Sequence, residues 1–154
     1  MSARIFESIA ALKEFAGREI GISDWFQVSQ QRIRDFAEAT EDRQWIHVDP
    51  ERAQHESPYR ATIAHGFLTL SLMGHLMKQA FEVRGVRMGI NYGLNRVRFP
   101  APVRSGSRIR ARVALDSLKD FSGGSEAVFS VTVESEGAAK PCCVAEWIVR
   151  YYLG

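Results

Sequence analysis

The hydrophobic patterning of the chain predicts an α+β fold, a long curved antiparallel sheet around one central helix. Three observations carry this. Apolar residues recur at helical spacing up to about residue 85 and at a two-residue period beyond it. The most apolar window, Ala61 to Met77, lies just before that change, so one mostly apolar helix is available to cover the inner face of a sheet. Four strand-like segments then follow in direct succession, broken by short Gly, Pro, Ser or Asp clusters that favour antiparallel pairing.

The elements run as follows. Ile9, Leu12 and Ala16, with Phe6 and Phe15 beside them, predict a short amphipathic helix over Glu7 to Ala16, ended by Gly17. Asp24 to Val28 reads as a brief strand. Ser29 caps a second helix that presents Ile33, Phe36, Ala37 and Thr40 and stops near Glu41. Asp49 followed by Pro50 starts a third helix, Pro50 to Glu56, because proline's missing N–H costs nothing at the first helical position. Thr62 is a candidate cap for the long helix Gly66 to Phe81, whose apolar residues occupy most sides and call for enclosure. Strands are predicted at Met88 to Phe99, Ser107 to Leu118, Ala127 to Glu134 and Cys142 to Leu153. Alternation is clearest where Ile109, Ala111, Val113 and Leu115 face one way and Arg108, Arg110 and Arg112 the other.

Composition narrows the function classes. The 154 residues are 45% hydrophobic and 25% charged, as in a globular protein, and are read as a single domain, 1–154, able to hold a core without metal or disulfide staples. A formal charge of +2 is too small for a nucleic-acid footprint without a clustered patch. Arginine outnumbers lysine 16 to 4; Arg104, Arg108, Arg110 and Arg112 form either a solvated face or a set of forks for phosphate. Cys142 and Cys143 are adjacent in a strand and cannot easily bridge. The N-terminus lacks a signal-peptide pattern, and His65, His75 and Lys78 make the apolar window a poor bilayer span. These features predict a cytoplasmic protein with neither nucleic acid nor membrane as partner.

Acid and imidazole concentrate in Ala39-Thr40-Glu41-Asp42-Arg43-Gln44-Trp45-Ile46-His47-Val48-Asp49. Five residues apart on a continuous helix, Asp42 and His47 would diverge by roughly 140°, so their convergence requires an irregular loop. Brought together, they can hold a water and move protons at neutral pH; otherwise they are a capping Asp and a surface His. Gly66 falls in the first turn of the apolar helix, where N–H groups lack intrahelical partners. Such a donor aimed at a carbonyl is worth about 3 kcal/mol in a transition state, the other use of Gly66 being close backbone packing. A metal set could be drawn from Asp42, His47, Asp49, His55 and His65, yet no HExxH or paired-His spacing supports it, and none is expected. No phosphate loop, dinucleotide fingerprint or serine elbow is present, Ser71 lacking the Gly-x-Ser-x-Gly frame.

Ala39-Thr40-x-Asp42-x-Gln44-Trp45-Ile46-His47-x-Asp49, then Ser57-Pro58, then Ile63-Ala64-His65-Gly66-Phe67-Leu68-Thr69-Leu70-Ser71-Leu72, resembles the MaoC-like dehydratases, and within them the nodulation-protein-N-like branch. The likeness continues at Asn91-Tyr92-Gly93, Val97-Arg98-Phe99-Pro100 and Pro102-Val103, covering the chain from about residue 24 onward. It implies a hot-dog fold, a homodimer and reversible (R)-specific hydration of a trans-2-enoyl-CoA to the 3-hydroxyacyl-CoA, with an acyl-carrier protein as the other carrier. It implies Asp42 and His47 as the catalytic pair, Gly66 as the backbone donor to the thioester carbonyl, and Gln44, Trp45, His65, Phe67 and Ser71 as substrate-binding positions, with no cofactor.

Two departures from the family pattern stand out. Glu41 replaces a glycine common before the acid, and it either turns toward Asp42 or faces solvent. Gln44-Trp45 replaces Asn-Pro, and Trp45 would narrow the acyl pocket. Beside hydration, two other readings are open: a hot-dog acyl-CoA thioesterase, and a non-catalytic module that binds acyl thioesters.

Overall fold

A computed structural model describes residues 2–154. In chain order the elements are β1 (Arg4–Phe6), α1 (Ile9–Lys13), β2 (Arg18–Ile22), β3 (Phe26–Gln27), α2 (Gln30–Thr40), α3 (Trp45–Val48), α4 (Pro50–Glu56), α5 (Gly66–Ala80), β4 (Phe81–Val83), β5 (Val86–Arg98), β6 (Arg108–Phe121), β7 (Gly124–Ser135) and β8 (Cys143–Leu153). One antiparallel sheet runs β2-β6-β7-β8-β5, with β3 also on β6, while β1 and β4 form a small parallel pair. This is the predicted α+β architecture of a long antiparallel sheet around a central helix.

The inner face follows from strand periodicity. Ile109, Ala111, Val113 and Leu115 of β6 are fully buried, and Ala127, Phe129, Val131 and Val133 lie buried beside them on β7. Register sets Val113 opposite Val131, Leu115 opposite Phe129, and Phe129 opposite Trp147 of β8. Bulges at Leu115/Ser117 on β6 and at three points along β5 add local twist, so that the sheet curves. Against it α5 lays Leu68, Leu72, Met73, Leu76, Met77 and Ala80. Gly21 of β2 passes so near the end of α5 that a Cβ there would overlap the Ala80 carbonyl.

Enclosure of α5 is incomplete, and this corrects the sequence reading. Phe67, Ser71, His75 and Lys78 form an exposed stripe along one side of the helix, with Phe67 68% exposed. β5 stands at the sheet edge with Met88, Ile90, Tyr92 and Leu94 exposed. Both surfaces are apolar or small at many positions, the composition that made α5 look fully surrounded.

Other boundaries shift for local reasons. The first helix is confined to Ile9–Lys13 because Ser8 caps it, accepting from the Ala11 N–H at 3.1 Å. β1 and β2, too short or too polar to show a period, went unpredicted. The cap of α5 is His65, not Thr62, whose hydroxyl instead donates to Gln30 Oε1. Residues 45–48, expected as irregular loop, form the single helical turn α3.

On the outer face the arginines are engaged by acids. Arg110 and Arg112 pair with Glu134, Arg108 with Glu136, and Arg110 also lies 4.3 Å over the Trp25 ring. The solvated-face alternative is the one that the pairing matches. Cys142 and Cys143 are free and buried, and desolvation pushes their thiols up to about 12 and about 11. Among the described residues no helix is long and apolar enough to cross a membrane.

Leu76 is fully buried where α5 meets the sheet. Leu76→Ala should lower unfolding free energy by about 2–5 kcal/mol through lost burial and a residual cavity. Denaturant titration checks this as a lower midpoint at unchanged slope.

Candidate active site

The site is assembled by backbone termini. Ser29 caps α2 by accepting from the Arg32 N–H at 3.1 Å, and the helix buries Ile33 and Ala37. It ends at Thr40 with Glu41 in the left-handed region, φ 63° and ψ 14°. Glycine adopts that conformation freely, whereas an L side chain pays roughly 1–2 kcal/mol for it. The Glu41 carboxylate is taken by Arg43, which also holds Glu38 at 2.7 and 3.0 Å. Of the two orientations open to Glu41, the solvent-facing one is observed, 74% of its side chain being exposed.

The reversed chain enters the short loop bearing Asp42 and Gln44, then α3. Asp49 closes α3 through its N–H to the Trp45 carbonyl at 3.0 Å and opens α4 by accepting from the Arg52 N–H at 3.1 Å. The cap predicted at Asp49-Pro50 is therefore present, with a second helical turn immediately before it.

This folding brings Asp42 and His47 together. A carboxylate oxygen of Asp42 and one ring nitrogen each of His47 and His65 lie within 4.8 Å of one another. Asp42 is exposed, whereas His47 and His65 are 6% and 3% exposed. His47 Nδ1 lies 2.6 Å from the Ile63 carbonyl oxygen, which can only accept, so the proton sits on Nδ1 and the Nε2 lone pair is left free. Burial holds the His47 imidazole below its ordinary pKa. The neighbouring His65 ring adds to that lowering, while the Ile63 carbonyl and Asp42 oppose it.

Two residues with no motif behind them anchor this turn. Gln30 Nε2 donates to the His47 carbonyl at 2.8 Å, and Gln30 Oε1 accepts from Thr62. Nothing in residue spacing marks Gln30, one position past a helix cap; Thr62 was visible in the sequence only as a possible cap.

His65 stacks on His47 with ring centroids 3.8 Å apart and planes at 21°, and its Nε2 donates to the Asp42 carbonyl at 2.9 Å. Gly66, the next residue, opens α5. The N–H groups of Leu68 and Thr69 close on the His65 carbonyl. No protein acceptor takes the Gly66 N–H among the described residues. A Cβ on Gly66 would sit 3.0 Å from the Phe99 ring, so the position is tight against a side chain as well as open at its amide.

Of the other positions, Gln44 is exposed at the start of α3, and Trp45 is half-buried beneath the Arg52 guanidinium, 4.2 Å from its ring. Phe67 meets Phe99 edge-on at 6.4 Å, and the Ser71 hydroxyl donates to the Phe67 carbonyl at 2.7 Å. A cavity of about 260 Å³ adjoins Gly66, between Ile63, Thr69, Phe99 and Pro102. A larger one of about 630 Å³ lies two turns along α5, between Gly74, Met77, Met88, Trp147 and Val149.

The acid and two imidazoles also form a donor set of the kind that holds a metal ion. His47 offers only Nε2 and His65 only Nδ1, and the near-parallel rings project those lone pairs in nearly parallel planes. A tetrahedral ion at about 2.0–2.1 Å from each nitrogen needs rings that fan out. The stack suits a water held between Nε2 and a carboxylate better.

The chain belongs to the MaoC-like domain family, whose model matches residues 12–137. It is 55% identical over 149 residues to 3-hydroxyacyl-thioester dehydratase Z of Mycobacterium tuberculosis, covering 96% of this chain and 98% of that protein. It is 48% identical over 144 residues to nodulation protein N of Rhizobium leguminosarum bv. viciae, covering 92% and 89%. Among solved structures, the (R)-hydratase from A. caviae superposes with a TM-score of 0.69 at 24% identity, over 86% of this chain and 96% of that one. The unliganded R-hydratase from Pseudomonas aeruginosa gives 0.71 at 20% identity, over 88% and 83%. These likenesses identify the sheet and helix as a hot-dog fold.

Because Glu41 is left-handed and bonded outward to Arg43, Glu41→Gly should raise unfolding free energy by up to about 1 kcal/mol. Turnover should stay at the wild-type level. Denaturant unfolding alongside an activity assay measures both.

Proposed function

We propose that the chain, as one hot-dog unit of residues 1–154, is a hydro-lyase that catalyses reversible (R)-specific hydration of a trans-2-enoyl thioester. The observation that carries this reading is the His47 imidazole, locked through Nδ1 on the Ile63 carbonyl so that its Nε2 lone pair is free, in a ring that has one nitrogen within 4.8 Å of the Asp42 carboxylate. An enoyl thioester needs a placed water, a proton acceptor and a polarised carbonyl, and no covalent intermediate.

Asp42 and His47 hold the water. His47 Nε2 takes its proton as the oxygen bonds to C3, and the π pair moves toward the thioester carbonyl. The Gly66 N–H stabilises the resulting enolate, and the proton returns from His47 to C2 on the same face. The reverse sequence dehydrates a 3-hydroxyacyl thioester, the reaction class named for the mycobacterial relative. A free base at neutral pH is what the lowered pKa of His47 supplies.

Coenzyme A is the carrier in this reading, with acyl-carrier protein as the other thioester source. Gln44, Trp45, Phe67 and Ser71 are its proposed substrate-side positions, and fatty-acyl metabolism is its setting. The free cysteines suit the reducing cytoplasm. The exposed stripe of α5 and the apolar, unpaired edge of β5 fit a second copy of this chain, giving a homodimer.

Crotonyl-CoA and longer enoyl-CoAs should lose their conjugated-thioester absorbance without releasing free thiol. Asp42→Asn and His47→Gln should each cost about 10²- to 10⁴-fold in kcat. The acid limb of the wild-type rate should fall below the usual imidazole range, because activity is lost only when pH drops through the depressed pKa of His47. Inertness on every chain length overturns the reading, and thiol release replaces it with a thioesterase. Light scattering should return twice the 17.3 kDa chain mass.

A further inference from the structure

The His65 imidazole takes no part in the steps above, yet it lies at the centre of the cluster. One face of its ring stacks on His47, and Phe36 of α2 lies 4.9 Å from it. Its Nε2 donates to the Asp42 carbonyl, and its Nδ1 is buried without a partner among the described residues. We propose that His65 is a positioning residue, which sets the separation between Asp42 and His47 by gripping the backbone of one and the ring face of the other. This role rests on the hydratase reading and gives His65 a place behind the reacting atoms rather than against the substrate.

Three features support it. Asp42 sits in a loop with its side chain exposed, and among the described residues no other side-chain hydrogen bond reaches it. The tie from His65 spans 23 residues of sequence and fastens that loop to the mouth of α5. Second, contact through the ring face leaves the in-plane Nε2 lone pair of His47 unoccupied, whereas a polar side chain meeting His47 edge-on would compete with water for it. Third, His65 opposes protonation of His47 electrostatically.

The groups facing His47 are few. His65 comes from the α5 mouth and Asp42 from the loop, and these are the titratable ones acting on it. α2 presents Phe36 through His65 and the neutral amide of Gln30, and residues 62–64 present the Ile63 carbonyl. α4 turns Arg52 onto Trp45 and Glu56.

His65→Phe keeps a ring face and loses the donor, while His65→Gln keeps a donor and loses the ring. Both are assayed with crotonyl-CoA across pH, and the His47 ring is followed by NMR titration. His65→Phe should lower kcat about 10- to 100-fold with KM nearly unchanged, the scale of a misplaced catalytic group. His65→Gln should lose less kcat, and both variants should move the acid limb and the His47 midpoint to higher pH, since the electrostatic opposition of His65 to the His47 imidazolium is gone. Folded variants with wild-type kcat and an unmoved His47 midpoint overturn the proposal, as does a loss confined to melting temperature or KM. If the wild-type chain turns over no enoyl-CoA, the hydratase reading fails separately. The NMR midpoint in His65→Gln then still decides whether His65 governs His47.

Discussion

Ile63 grips α3 with both of its backbone groups. Its N–H donates to the Ile46 carbonyl at 3.0 Å, and its own carbonyl accepts from His47 Nδ1. Ile63 is also bridged in antiparallel fashion to Arg104, which ties this short stretch to the chain entering β6. The imidazole is thus referenced to the sheet through main chain alone. Main-chain groups have no rotamers to lose, so the ring's tautomer and direction are set by the fold itself.

The surroundings bear the cost of that arrangement. Two imidazoles are nearly out of water, and polar groups there are tolerable only where bonds replace the lost solvent. His47 has its bond to Ile63, its carbonyl has Gln30, and Gln30 is completed by Thr62. His65 is the exception, with one nitrogen bonded and the other not. A local imperfection of this kind fits a group retained for geometry rather than stability. The cluster sits on a core dominated by α5, β6 and β7, which keeps its frame rigid.

The sheet and the helix could be read from the chain because their signals are periodic. β6 alternates from Ile109 to Leu115 and β7 from Ala127 to Val133, and α5 carries an apolar run that no loop would hold. The Ser29 and Asp49 caps were readable for a different reason, each being a short polar residue before a helix with its acceptor in reach of an N–H. α3 escaped because four residues, Trp45 to Val48, give no helical period. Thr62 was misassigned because a threonine near a helix start looks the same whether it caps or bonds Gln30. The pairing of Asp42 with His47 rested on the family motif, since five-residue spacing alone does not require it. The contribution of Gln30 is a contact between distant segments, 17 residues from His47 and 32 from Thr62, and no local pattern encodes that.

Cys142 and Cys143 carry a practical corollary. Sequestered beneath the sheet and held as neutral thiols well above physiological pH, they are closed to alkylating and disulfide reagents in the native state. Labelling must await an opening of the segment that bears them, so the rate at Cys143 under native conditions is a built-in gauge of how often the start of β8 detaches. A chromogenic reagent added to detect liberated coenzyme therefore meets almost no background from the folded polypeptide.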